Sequence, residues 1–315
     1  MNVLLTGAFG RLGVEVAECI LADGHALRCL DLDTPASRRA ARPFEDRCDI
    51  HFRDLTTVHN FTPLLEGMDG VIHLAAMLPP ASETHGDLAR CLNVEVSRRL
   101  IDAMAASRNP AHLIFPSSVS VFARTPDHPR ARRVDDPVQA TDNYTSHKLE
   151  VEALLHEQTF PWSILRVGVS VDSRTLSADR ATFRKLLSTA ADGPVEWVHP
   201  KDVALAMSRC LEVPESRRKT LLIGGGANCQ VTQAKFMGVA FEALGLRYPE
   251  QVHGDDYFYM HWMDTTEAQT LLQFQRHDFY DYQTEIQQRL RHVRTLLRPL
   301  RPVINSLLEP TLRHV

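Results

Sequence analysis

The sequence has no Cys-x-x-Cys pair, no apolar run long enough to span a bilayer and no excess of basic residues. Its six cysteines (Cys19, Cys29, Cys48, Cys91, Cys210, Cys229) are scattered, without the spacing of a metal site, so no metal is expected. They read as thiols of a reducing compartment rather than as a disulfide framework. A formal net charge of −4 gives no reason to expect a nucleic-acid partner. Without a long apolar run no transmembrane segment is expected, and a first strand starting at residue 3 leaves no room for a signal peptide. A cytoplasmic protein is the expectation. The bulk of the chain is ordinary, with 44% apolar and 23% charged residues. At 315 residues it exceeds one average domain, which suits a large domain carrying a smaller lobe.

Glycine is sparse, yet three glycines fall together at the start. Val3-Leu4-Leu5 has the continuous apolar character of a buried parallel strand, and Gly7, Gly10 and Gly13 follow at once. Val14, Ala17, Ile20 and Leu21 then keep helical spacing up to Asp23-Gly24, and a second strand, Ala26 to Leu30, closes on Asp31. Glycines there let the backbone turn tightly and approach a pyrophosphate at the positive end of the helix. The Asp31 carboxylate is placed to bond a ribose diol and to repel a 2′-phosphate.

The alternation continues. Thr34 to Asp49 is polar and arginine-rich, a helix or loop over the sheet edge. Ile50-His51-Phe52 reads as a third strand ending near Asp54, which can accept from an adenine amino group or cap a turn. Residues 71–76 read as a fourth strand, and Met77 to Gly86 as an irregular proline-rich stretch. A helix over 88–106 carries Asn93, and a fifth strand over 112–115 leads into Ser117-Ser118. A polar loop (124–137), a helix from Asp142 to Gln158 and a sixth strand over 162–165 follow. Such alternation predicts an α/β fold, a doubly wound parallel Rossmann-type sheet with ligands beyond the carboxyl ends of its strands, and a smaller C-terminal substrate-binding lobe. Further on, Ser170 to Asp192 reads as a polar insertion with a helix. Val195 to His199 reads as a strand, with Asp202 capping a helix over 203–212. Leu221-Leu222-Ile223 is a last sheet strand, and Gly224-Gly225-Gly226 a flexible exit. The expected division is 1–166 with 195–226 for the dinucleotide, 167–194 with 227–285 for the substrate, and a tail over 286–315.

That tail repeats Ile286, Leu290, Val293, Leu297, Leu300, Ile304 and Leu307 at spacings of four and three. Arg289, Arg291, Arg294, Arg298 and Arg301 stand between them, and Pro299 and Pro302 must break or kink the helix. A helix packed on its own protein or on a dimer mate is the plainer reading, and peripheral contact with a membrane surface the alternative.

Tyr144 and Lys148 share a face of the predicted helix. A free tyrosine, with a pKa of about 10, is a poor acid–base group at neutral pH. A nearby ammonium would favour the phenolate and bring the pKa toward the working range. Ser118 ends strand five, where its hydroxyl could reach the same substrate oxygen.

These motifs together carry a resemblance. Thr6-Gly7-Ala8-Phe9-Gly10-Arg11-Leu12-Gly13, with Tyr144-Thr145-Ser146-His147-Lys148, resembles the extended short-chain dehydrogenase/reductase family, the NAD-dependent epimerase/dehydratase group. Asp54-Leu55, His73-Leu74-Ala75-Ala76, Leu92-Asn93-Val94, Ser117-Ser118 and Trp197-Val198-His199-Pro200-Lys201-Asp202 match in order and spacing. The resemblance implies Ser118, Tyr144 and Lys148 as the catalytic set. It implies Gly7, Phe9, Gly10, Arg11, Leu12, Gly13, Asp31, Asp54, Leu55, Leu74, Ala75, Ala76, Asn93 and Lys148 as residues on the cofactor. It also implies a homodimer through helices 88–106 and 142–158. Family members acting on nucleotide sugars carry Arg-aromatic-Asn-x-x-Gly-Pro after strand six. Here Arg166-Val167-Gly168-Val169-Ser170-Val171-Asp172 has neither that asparagine nor Gly-Pro.

The expected activity is therefore an oxidoreductase that uses NAD rather than NADP on a small-molecule secondary alcohol or ketone. The alternatives are an epimerase or dehydratase acting on a (nucleotide-)sugar, and a dinucleotide-sensing regulator without catalysis. Arg11, Arg38 and Arg39 are the residues able to overturn the preference for NAD.

Overall fold

The computed structural model describes residues 1–122, 130–175, 186–256 and 261–312. The chain begins with β1 (Asn2–Thr6), α1 (Arg11–Ala22), β2 (Ala26–Asp31), α2 (Pro35–Ala41), β3 (Asp49–Phe52) and β4 (Gly70–His73). A helical stretch starting at Gly86 passes through a π turn, Cys91–Glu95, into α3 (Val96–Ala105). Then come β5 (His112–Ser118), α4 (Asn143–His156), β6 (Trp162–Val167), β7 (Pro194–Glu196), α5 (Pro200–Glu212) and β8 (Lys219–Ile223). The remaining elements are β9 (Gln230–Thr232), α6 (Gln233–Leu244), α7 (Thr266–Leu272), α8 (Phe279–Leu297) and α9 (Arg301–Leu312).

Seven strands form one parallel sheet in the order β3-β2-β1-β4-β5-β6-β8, while β7 and β9 pair antiparallel apart from it. Successive residues of β1 point to opposite faces. Val3 and Leu5 pack with α1 and α5, and Leu4 packs with α3 and α4, all three without exposure. A sheet covered on both sides needs apolar side chains toward both layers, which is why β1 and β8 carry the continuous runs Val3-Leu4-Leu5 and Leu221-Leu222-Ile223. Each such side chain contributes roughly 1.5–3 kcal/mol by leaving water. A separate apolar cluster joins Val195 and Trp197 to Val231, Val239, Phe279, Tyr282 and Ile286.

Four expectations need correcting. β4 ends at His73, not residue 76, because the chain then turns across β1: Leu74 N–H donates to the Thr6 carbonyl (3.2 Å) and Ala75 N–H to Thr6 Oγ1 (3.2 Å). β5 runs on through Ser118, so both serines belong to the strand. The cap of α5 is His199, whose Nδ1 accepts from Lys201 N–H (3.0 Å), not Asp202. Asp202 is buried, with Oδ2 accepting from the backbones of Arg276 and His277 (2.9 and 3.0 Å) and Oδ1 paired with His277 Nδ1 (2.6 Å). Lastly, Gly224–Gly226 is a packed crossing and no loose exit. A Cβ on Gly225 would lie 2.4 Å from the Trp197 carbonyl oxygen, and one on Gly224 2.1 Å from Glu196 Oε1. Part of the 124–137 loop, and residues 176–185 of the insertion where a helix was expected, lie outside the described residues.

Candidate active site

The site begins where β1 stops. Gly7 has φ +66°, the left-handed region, and a Cβ there would lie 2.9 Å from Ala75 N. On Gly13, in the first turn of α1, a Cβ would lie 2.2 Å from the Gly7 carbonyl oxygen. The helix start is thus pressed against the turn at a distance no other residue permits. The α1 N-cap, Gly10, supplies no side-chain acceptor, and no acidic residue stands in the first turn. Its free N–H groups and positive end are left for an anion.

Asp31, at the end of β2, accepts from Phe9 N–H (2.7 Å, Oδ2) and from Leu32 N–H (2.7 Å, Oδ1). Each oxygen keeps a further lone pair. Asp54 Oδ1 accepts from Thr56 N–H and Oγ1 (2.9 and 2.6 Å), so it caps the turn Leu55–Thr57 while bordering the same cavity. Arg38 is held by Asp33 (2.6 and 2.7 Å) and lies over the Phe52 ring. Arg53, which nothing in the sequence singled out, joins Asp31 and Asp54 on the cavity wall.

Helix α4 carries Tyr144 and Lys148. Asp142 Oδ1 accepts from Thr145 N–H (2.8 Å), and Thr145 Oγ1 accepts from Asp142 N–H (3.1 Å), closing a capping box. The Glu83 carboxylate takes two more orphan donors, the N–H groups of Asn143 and Tyr144 (3.0 and 3.2 Å). The tyrosine backbone is fixed from both sides. Lys148 is buried, donates to the Pro116 carbonyl (2.7 Å), and lies 4.6 Å from the Phe115 ring centre and 5.6 Å from that of Tyr144. Burial pulls its pKa down to about 8, against the opposing pull of Glu152. Ser118 Oγ accepts from Ser120 N–H and Oγ (3.2 and 2.8 Å).

The expected lowering of the tyrosine pKa is not what the surroundings give. Burial pushes Tyr144 up to about 12, against a hydrogen bond with Ser118 that lowers it. The ammonium is directed at a carbonyl rather than at the phenol oxygen, so desolvation dominates. Tyr144 is therefore held as a neutral phenol.

A polar chain fixes the floor. Ser97 Oγ donates to the Asn93 carbonyl (2.8 Å), so His73 Nε2–H donates to Ser97 (3.1 Å) and Thr6 Oγ1–H donates to His73 Nδ1 (2.7 Å). Burial, with Lys148 nearby, lowers the His73 pKa to about 3, keeping the imidazole neutral. Asn93, in the π turn, clamps Met77 by accepting from its N–H (2.7 Å) and donating to its carbonyl (2.9 Å).

One cavity of about 840 Å³ gathers these parts. Its wall holds Gly7, Gly10, Arg11, Leu12, Gly13, Asp31, Asp54, Leu55, Leu74, Ala75 and Ala76, together with Ser117, Ser118, Tyr144 and Lys148. Phe9 and Asn93, grouped with the cofactor residues by resemblance, do not line it. Phe9 packs into the core against Phe44 and Phe52, and Asn93 acts through Met77. Residues after β6 close one side, where Arg174 pairs with both Asp172 (2.8 Å) and Glu15 of α1 (2.9 Å). A second cavity of about 310 Å³, near Arg130 and Asp264, shares none of these residues. The signals for Glu83, Ser120 and Arg53 lay only in three-dimensional contact.

Comparison with known proteins follows the same outline. Residues 3–167 match the model of the NAD dependent epimerase/dehydratase family. Photosystem II assembly factor Ycf39 of Trieres chinensis is 24% identical over 229 residues, which are 71% of this chain and 64% of that protein. D-erythronate dehydrogenase of Cupriavidus necator is 28% identical over 134 residues, 39% of this chain and 40% of that protein. The chain thus spans less than two thirds of the length of either relative. Among solved structures, UDP-glucuronic acid 4-epimerase from Bacillus cereus, in complex with UDP-glucuronic acid and NAD, shares the fold with a TM-score of 0.76. It is 19% identical, with 93% of this chain and 100% of that one covered.

Proposed function

The chain belongs to the NAD-dependent epimerase/dehydratase family, and from that premise we propose that it moves a hydride between NAD and a secondary alcohol or ketone, with Tyr144 as general acid–base. The observation that carries this reading is the single cavity lined by the glycine turn, Asp31, Ser118, Tyr144 and Lys148. The bare first turn of α1 and the spare lone pairs of Asp31 suit a pyrophosphate and a ribose. When bound, NAD supplies the hydride acceptor that no side chain offers. The protein's share is proton transfer and placement. Tyr144 exchanges one proton with the substrate oxygen, Ser118 orients that oxygen, and Lys148 bonds the ribose hydroxyls. A phenol held neutral suits donation to a carbonyl without any prior ionisation.

The substrate reading follows from the wall after β6. Among the described residues of that wall the cation is Arg174, which already holds two carboxylates, Asp172 and Glu15, so a nucleotide pyrophosphate at that point would have to displace them. That favours a substrate other than a nucleotide sugar. The same contact supports a second reading. Arg174 and Glu15 tie the loop after β6 to α1 across the cofactor groove, and slow cofactor exchange suits an epimerase or dehydratase that regenerates NAD in each turnover. Absorbance of NADH separates the two. A dehydrogenase consumes or forms one NADH per product, according to direction, whereas product without net NADH change assigns the transient reaction.

Asp31→Ala should narrow the preference for NAD over NADP by about tenfold or more, since the carboxylate that repels a 2′-phosphate is gone. Titration with both reduced cofactors measures it. An unchanged ratio would remove the role given to Asp31 and shift attention to Arg53.

A further inference from the structure

Two of the six cysteines meet in space. Cys29 of β2 and Cys48, in the bend that leads into β3, bring their sulfurs to 3.7 Å, and both are free thiols. Cys19, Cys91, Cys210 and Cys229 have no such neighbour among the described residues. The pairing of the strands accounts for the contact. Cys29 stands opposite Ile50, two residues beyond Cys48, and all three side chains belong to the apolar layer packed with α1. The two thiols differ in access: Cys29 is without exposure, whereas Cys48 is half-buried. A disulfide bond of about 2.05 Å requires the sulfurs to approach by about 1.7 Å. Cys29 is held in the sheet between β1 and β3, so that movement falls to Cys48, which lies outside the strand.

Hydrogen bonds set the order in which the two thiols react. Cys48 S–H donates to the Phe44 carbonyl (3.5 Å), which leaves the Cys29 S–H to donate to Cys48 Sγ. That donor holds the Cys48 pKa below its ordinary value, and the Arg47 guanidinium acts in the same direction against burial. The same bond, together with burial, pushes Cys29 up. Burial also pushes Cys19 up to about 11, and Cys210 and Cys229 up to about 12. Cys48 therefore combines access, a donor to its sulfur and a neighbouring cation, the surroundings in which a thiolate forms and reacts. Its thiolate attacks one oxygen of hydrogen peroxide: an S–O bond forms, the O–O bond breaks, and the departing hydroxide takes a proton to become water. The Cys29 sulfur then attacks the resulting sulfenic acid. An S–S bond forms, the S–O bond breaks, and the hydroxyl leaves as water with the Cys29 proton. Two electrons pass from the sulfur pair to the peroxide. The bond would join β2 to the chain entering β3, a strand of four residues at the edge of the sheet with β2 as its one neighbour. Such an edge is where a sheet opens first, and Arg53 and Asp54 follow it directly onto the cavity wall.

We propose that Cys29 and Cys48 are a redox pair, joined by a hydroperoxide into a disulfide that fastens edge strand β3 to β2 and reopened by a dithiol. The full chain, treated with hydrogen peroxide and then alkylated under denaturation, should lose two of its six alkylatable thiols. Peptide mapping should find Cys29 linked to Cys48, and dithiothreitol should restore all six thiols. Amide hydrogen exchange over residues 49–54 should slow in the linked form. Cys29→Ala should stop the reaction at a Cys48 sulfenic acid that dimedone captures, and Cys48→Ser should leave Cys29 reduced under the same treatment. The mapping of the unaltered protein stands by itself if either variant fails to fold. Three results overturn the proposal: Cys48 driven to a sulfinic acid with no link formed, a link that appears only after urea, or oxidation confined to other cysteines while Cys29 and Cys48 stay free. Unchanged exchange over residues 49–54 in the linked form overturns the fastening of β3.

Discussion

Tyr144→Phe is expected to lower turnover by about 10²–10⁴-fold, the range for loss of a positioned acid–base group, with NADH affinity close to that of the unaltered protein. The expectation is sharp because little else depends on the phenol oxygen. The backbone of Tyr144 is held by the Asp142–Thr145 capping box and by Glu83, and neither contact uses the hydroxyl. Ser118 keeps its two donors from Ser120 after the change. Phenylalanine should therefore fill the same wall of the cavity, leaving the fold and the dinucleotide groove unchanged. Single-turnover rates with a reduced cofactor isolate the chemical step from release. If turnover survives, Tyr144 is not the acid–base, and the dinucleotide-sensing reading gains at the expense of catalysis. A rate that bends near pH 8 in the unaltered protein would also fit, because Lys148 loses its ammonium there as pH rises.

The parts of this architecture that were legible in the sequence are those encoded locally. A strand buried on both faces favours unbroken apolar runs, so Val3-Leu4-Leu5 of β1 and Leu221-Leu222-Ile223 of β8 announce themselves. A glycine forced by a 2.2 Å approach leaves a fixed spacing behind, so Gly7, Gly10 and Gly13 mark the turn before any contact is known. Tyr144 and Lys148 are one helical turn apart, and helix geometry alone puts them on one face. What failed to show depends on partners distant in the chain. Glu83 caps α4 from 60 residues away, and the pattern around it reads only as an irregular proline-rich stretch. His199 takes the cap that the sequence suggests for Asp202, because the acid finds two backbone donors at Arg276 and His277 that no local pattern announces. The glycines at 224–226 resemble a flexible run and are instead where the chain leaving β8 presses against Glu196 and Trp197. The sign of the Tyr144 shift belongs to the same class. Proximity to a lysine suggests a lower pKa, but burial and the direction of the ammonium, which sequence does not carry, set the outcome.

Glu152→Ala, outside the cavity, should cost about 3–5 kcal/mol of stability. Glu152 and Arg166 are both almost fully buried and meet in a bidentate pair (3.2 and 2.7 Å). Arg166 also donates to the Val134 carbonyl (3.0 Å) and lies over the Phe122 ring at 4.9 Å. Alanine would leave that guanidinium in the interior without its counter-charge, and chemical denaturation would record the loss as an earlier midpoint. Replacing both partners, Glu152→Leu with Arg166→Met, should recover most of the stability, since a matched apolar pair carries no unanswered charge. The two variants should nevertheless share one functional defect. Glu152 lies one turn beyond Lys148 on α4, and its carboxylate favours the ammonium against the burial that opposes it. Without that charge the Lys148 pKa falls further, so the alkaline limb of the pH–rate profile should move to lower pH in the single and the double variant alike. A double variant that is stable and keeps its original alkaline limb would show that Glu152 serves packing alone, and that Lys148 titrates independently of it.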